Sequence, residues 1–114
     1  MAQELKIIAD FYELMLWLIQ HTEKFPRHHR YGLGTSIENR LQAILALLLK
    51  AKYGREKLIE LSAANVELEI LRFQIRLAKD VKALPINSHE HGIKLLLGIG
   101  SQVGGWIKSL GTKS

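Results

Sequence analysis

The stretch Ile59–Val81, IELSAANVELEILRFQIRLAKDV, decides the fold. Within it Leu61, Ala64, Leu68, Leu71, Ile75 and Ala78 recur in a 3-4-3-4-3 rhythm. Ile59, Ala63, Val66, Ile70, Phe73, Leu77 and Val81 keep a second rhythm of the same kind. At about 100° per residue these are two stripes on one α-helix, roughly 160° apart. A surface helix in a monomeric bundle needs a single apolar face. A helix with two has to bury both. Either it is sunk deeply among its partners, or a second copy of the chain covers the outer stripe. The chain has 114 residues, which leaves little material for the first solution. The spacing therefore predicts a homo-oligomer, with Ile59, Val66, Ile70, Phe73 and Leu77 at the interface.

Working outward, punctuation divides the chain into four helical segments, 3–23, 26–52, 55–83 and 88–110. Pro26 and Pro85 stand at two boundaries and Tyr53-Gly54 at the third. In the first segment Ile7, Phe11, Leu14 and Leu18 form one stripe, with Leu5, Ile8, Tyr12, Met15 and Ile19 beside it. The second carries Leu33, Ile37, Leu41, Ile44 and Leu48. Two starts compete for it. Pro26 suits a first helical turn, while Thr35 with Glu38 reads as a capping box. The apolar phase already includes Leu33, which favours Pro26. The fourth segment is capped by Ser88 or Asn87. It lines up Ile93, Leu96, Ile99, Val103 and Trp106, with Leu97, Gly100, Gly104 and Ile107 as a second line. Its Gly98, Gly100, Gly104 and Gly105 suggest a neighbour's close approach or a bend; local fraying is the alternative. Short connections make sequential helices antiparallel. The expected fold is all-α: an up-and-down antiparallel four-helix bundle, one domain over 1–110, with a disordered tail at 111–114.

Composition narrows the function. Hydrophobic residues make up 47% of the chain, enough for a core. No cysteine is present, which removes disulfides, thiol catalysis and thiolate metal sites, and fits a reducing cytoplasm. The uncharged apolar run Leu41–Leu49 is far shorter than the roughly 20 residues a bilayer span requires, so no membrane partner is expected. Charged residues interrupt the N-terminal apolar pattern, unlike a secretory leader. The net charge of +5 is compatible with an anionic partner.

Three basic groups stand out. Arg72, Arg76 and Lys79 share one helix face, between the two apolar stripes. Three cations on a face repel one another, so helix stability does not explain them. They read as a phosphate or carboxylate contact row, or as a solvated face softened by Glu69 and Asp80. Lys24, Arg27, His28, His29 and Arg30 cluster around Pro26, where a helix start would favour anions. Phe25 and Tyr31 beside them read as core plugs, with base stacking as the alternative use. Lys50, Lys52, Arg55 and Lys57 follow a helix end and read as dipole complements. Enzymatic signals are thin. His28-His29 and His89-x-His91 lack the i, i+3 or i, i+4 spacing of a helical metal site. No arginine stands four to six residues before a histidine, as helical ribonucleases of the HEPN type require. No cofactor, metal site or catalytic group is expected.

Several stretches resemble a known family. Lys24-Phe25-Pro26 with Arg30–Gly34 and Ile37-Glu38-Asn39, then LRFQIRLAKDVKAL at Leu71–Leu84, then GGWIKSL at Gly104–Leu110, are similar to accessory variability determinant (Avd) proteins of bacterial diversity-generating retroelements. The Phe-Pro and Tyr-Gly-Leu pieces also resemble the sister group of four-helix proteins encoded in 23S rRNA intervening sequences. The first resemblance implies a pentameric barrel of four-helix protomers. It implies a non-enzymatic partner that engages a reverse transcriptase and its template RNA, and possible DNA, in cDNA synthesis and mutagenic retrohoming. Arg27, Arg30, Arg72, Arg76 and Lys79 fall in or beside the matching stretches and become the expected binding residues. The sister group implies instead a scaffold that works through protein contacts alone.

Overall fold

The computed structural model describes residues 2–111, with side chains from Lys6 onward. Four long helices account for most of them: α1 (Ala2–Thr22), α2 (Thr35–Tyr53), α3 (Lys57–Asp80) and α4 (Ile86–Gly111). No strand occurs among the described residues. Each helix packs on its sequence neighbours, and α1 closes the ring against α4. The bundle measures 49 × 22 × 19 Å. The fourth helix begins at Ile86, directly after Pro85, and not at the expected Asn87 or Ser88 cap. It continues through Gly111; the rest of the expected tail, 112–114, lies outside the described residues, as does the side chain of Leu5.

The core is built from the predicted stripes. Ile7, Phe11, Leu14 and Leu18 of α1 meet Ile37, Leu41, Ile44 and Leu48 of α2. Leu61, Ala64, Leu68, Leu71, Ile75 and Ala78 of α3 meet Leu96, Ile99, Val103 and Trp106 of α4. The companion stripe of α1 is only partly used: Ile8, Met15 and Ile19 are half-buried, whereas Tyr12 is exposed.

The second helix does start at Pro26, in two pieces. A short α-turn, Arg27–His29, leads into a π-turn, Arg30–Gly34, and then into α2. Within the π-turn the Thr35 N–H reaches back to the Arg30 carbonyl. The helix thus has no N-terminus at Thr35, and the Thr35–Glu38 capping box does not form. Glu38 instead accepts a hydrogen bond from the hydroxyl of Thr22, the one fully buried polar side chain among the described residues. That bond ties the end of α1 to α2 and pins the loop between them, whose Phe25 is buried as expected.

Glycine is required at two places. A Cβ on Gly54 would sit 2.6 Å from the Lys50 carbonyl oxygen, so the α2–α3 corner closes only without one. A Cβ on Gly92 would sit 2.8 Å from the Trp17 ring, which packs at a tilt against the rings of His21 and His91. This is the close helix approach of α4. It was expected among Gly98, Gly100, Gly104 and Gly105, but a Cβ at any of the first three meets nothing within 4 Å in the protomer.

The α3–α4 corner stops α3 with a left-handed residue that is not glycine. Lys82 has φ 65, and the N–H groups of Ala83 and Leu84 both return to the Ala78 carbonyl. A left-handed non-glycine residue costs roughly 1–2 kcal/mol. Glycine relieves this but loosens the unfolded chain by about 0.4–1 kcal/mol. Lys82→Gly is therefore expected to raise stability by about 0.5–1 kcal/mol, read as a higher denaturant midpoint at unchanged slope. A lowered midpoint would mean that the Lys82 side chain itself holds the corner.

Candidate assembly and nucleic-acid surface

The two stripes of α3 part company in the protomer. The inner one is buried along its whole length. The outer one faces solvent, with Ile59 63%, Val66 59% and Phe73 52% exposed, and with Ile70, Leu77 and Val81 exposed beside them. Seven apolar positions on successive turns make a continuous oily strip along the full helix. Continuous apolar strips of that kind on a protein surface mark interaction sites. All five expected interface residues, Ile59, Val66, Ile70, Phe73 and Leu77, lie on it.

Between outer and inner stripes, on the flank of α3 turned toward α4, runs the basic row. Its cations are not equally free. Arg72 donates through both Nε and Nη2 to Glu69, and its guanidinium lies 4.8 Å from the centre of the Phe73 ring. The hydrogen bond from Arg72 holds the Glu69 carboxyl below the usual carboxylate range, against a smaller opposing effect of burial. The same bond pushes Arg72 further up. Arg76 stands 3.8 Å and Lys79 3.5 Å from the carboxylate of Asp80. Those are charge contacts too long to use up hydrogen-bonding capacity. Arg76 is 61% exposed and is the cation most open to an incoming phosphate. Lys79 lines a groove with Lys82, Pro85 and His89 at the α3–α4 corner.

The opposite flank of α3 is spoken for. Arg40 of α2 donates Nε to Gln74 at 2.9 Å and Nη1 to Glu67, and Gln74 Nε2 donates to Ser36 Oγ at 2.8 Å. Sequence reading passed over this α2–α3 network, because its partners are more than 25 residues apart and no local spacing signals them.

Arg27 and Arg30 are exposed on the α1–α2 connection. Up-and-down topology puts that connection at the same end of the bundle as the C-terminal half of α3. The five expected binding residues therefore gather at one end. They do not form one patch: the row is on the α4 side of α3, and the connection packs toward α2. Tyr31 is a correction. It was expected as a core plug, yet it is 72% exposed. In the third basic group, Lys57 Nζ donates to the carbonyls of Ala51 at 2.7 Å and Lys52 at 3.0 Å. That is the dipole-complement role read from sequence.

Among the described residues no three His, Asp or Glu side chains come together as a metal group. No described helix is long and apolar enough to cross a membrane. Fold and surface define a class: a small all-helical protein whose outer face carries a helix-long apolar strip beside a row of cations. A family model described as bAvd-like matches residues 5–110, and the chain belongs to that family. No curated protein matches the chain. Family and fold are compatible with a non-enzymatic accessory protein.

Proposed function

We propose that this protein is a cytoplasmic, non-enzymatic accessory factor of a diversity-generating retroelement. It assembles as a homo-oligomer, a pentamer by its family resemblance, through Ile59, Val66, Ile70, Phe73 and Leu77. It binds the element's reverse transcriptase and RNA or DNA through Arg27, Arg30, Arg72, Arg76 and Lys79, supporting cDNA synthesis and mutagenic retrohoming. The observation that carries this reading is the outer face of α3. There an apolar strip with no partner in the protomer lies directly beside cations whose charge the neighbouring acids only partly offset. Assembly through the strip would repeat the cationic row around the particle, and a repeated row suits a polyanion.

The test is a salt titration. The triple variant Arg72→Ala, Arg76→Ala, Lys79→Ala is expected to lose affinity for single-stranded RNA on the order of tenfold at moderate salt. Its log–log salt slope should be shallower by about 2, since each neutralised phosphate of a single strand contributes about 0.7. Helicity and particle size should not change. Unchanged affinity and slope would remove the row from the contact surface. One observation favours a second reading, a scaffold of the intervening-sequence type that contacts proteins only: each cation of the row already stands against Glu69 or Asp80. Absence of any complex with RNA or DNA at low salt would select it.

A further inference from the structure

The π-turn at Arg30–Gly34 has a consequence for the surface. In an unbroken α-helix, Arg30 would lie on the core line of Leu33, Ile37 and Leu41. The one extra residue of the π-turn rotates everything before it by about 100°. Arg30 is thereby exposed, and Tyr31 is carried to the α3 side. Tyr31 there walls a groove between α2 and α3 with Gly32, Ser36, Asn39, Arg40 and Glu67.

The groove is open, lined by polar and apolar surface in similar shares, and electrically balanced. Arg40 and Glu67 neutralise each other inside it, so it offers a phosphate no net attraction. It does offer unused hydrogen-bonding groups. Arg40 spends Nε and Nη1 within the protein and keeps Nη2. The Ser36 hydroxyl accepts from Gln74 and keeps its own proton to donate. Asn39 presents an exposed amide, donor and acceptor together. The exposed Tyr31 ring forms one wall of the groove, and close to it in the chain are the exposed cations Arg27 and Arg30. A hydrogen-bonding pocket of no net charge, a stacking face and nearby cations are the three parts that grip an unpaired nucleotide: edge, base face and phosphate.

We infer that Tyr31 and the groove of Ser36, Asn39 and Arg40 take an unpaired nucleobase of single-stranded RNA or DNA, with Arg27 and Arg30 on its phosphates. This rests on the nucleic-acid binding proposed above and adds a preference for single strands over duplex, whose stacked bases cannot enter.

Anisotropy titrations of the full chain test it, with a single-stranded oligonucleotide and a duplex of equal length, for wild type, Tyr31→Ala and Tyr31→Phe. Tyr31→Ala is expected to weaken single-strand binding about five- to a hundredfold, the range for losing one base stack. Its salt slope should not move, because no phosphate contact is lost. Duplex binding should stay within about twofold, and Tyr31→Phe, which keeps the ring face, should restore single-strand binding. If wild type binds single strands and Tyr31→Ala binds them equally well, the pocket is wrong and the basic-surface reading survives. If Tyr31→Ala instead breaks up the particle in light scattering, Tyr31 touches a second copy and the pocket is likewise overturned. If wild type binds neither nucleic acid, the proposed function fails and the pocket falls with it.

Discussion

Ile70→Asp, or Phe73→Asp, is expected to leave the proposed homo-oligomer as single, folded chains. Both side chains stand on the outer stripe of α3, and in the protomer Phe73 is half open to water. A carboxylate there is solvated in the isolated chain, so helicity and core should survive. At a copy-to-copy contact the same carboxylate would be stripped of water with no partner. Burying it costs several kcal/mol at every repeat of the interface. A few kcal/mol moves a dissociation constant by orders of magnitude. Multi-angle light scattering reads particle mass, and circular dichroism reads the fold. A wild-type particle that stays single at high concentration would end the assembly reading. An assembled Phe73→Asp particle would move the interface to another face, the nearest candidate being the open Leu97 and Gly104 flank of α4.

This separation of assembly from folding follows from what the sequence could and could not show. The stripes of α3 were readable because helix periodicity is local: residues three and four apart share a face whatever surrounds them. Ile59, Val66, Ile70, Phe73 and Leu77 were read as the outer set and the protomer does leave them exposed, but periodicity by itself gives no reason for that choice, which depends on where α2 and α4 sit. The break in the second helix was half-visible. A cation at Arg30, on the core line of an α-helix, signals an inserted residue, but a phase count that starts at Leu33 passes over it. The capping pair Thr35–Glu38 offered a competing start, set aside in favour of Pro26, for a related reason. The same residue types serve a helix start and a buried tertiary bond, and Thr22, far back in the chain, claims Glu38. Glycines were harder still. Gly92 matters only because Trp17 of another helix lies over it, whereas Gly98, Gly100 and Gly104 face open space. The binding residues were legible as cations. Their availability was not: Arg72 is engaged with Glu69 and Arg76 is the freer of the two.

Phenylalanine supplies the sharpest contrast between the two faces. Phe11 is 0% exposed, at the centre of the α1 stripe, and Ile7, Leu14 and Leu18 on that stripe are buried with it. Truncating a buried phenylalanine loses its transfer energy and leaves a cavity that a close-packed interior only partly fills. Phe11→Ala is therefore expected to cost about 3–5 kcal/mol. Domains of this size hold about 5–15 kcal/mol in all. Urea denaturation should show a large drop in midpoint, and the drop should persist in the Ile70→Asp background, where assembly no longer contributes. Phe73→Ala removes the same atoms from a surface that the protomer leaves open. Its effect on the single chain should stay within about 0.5 kcal/mol, the range for surface changes. Its larger effect should appear only as a midpoint that shifts with protein concentration, the mark of stability lent by association. Equal losses for the two variants in the assembly-blocked background would mean that the outer stripe is part of the protomer's own core, and the division of α3 into an inner and an outer face would have to be abandoned.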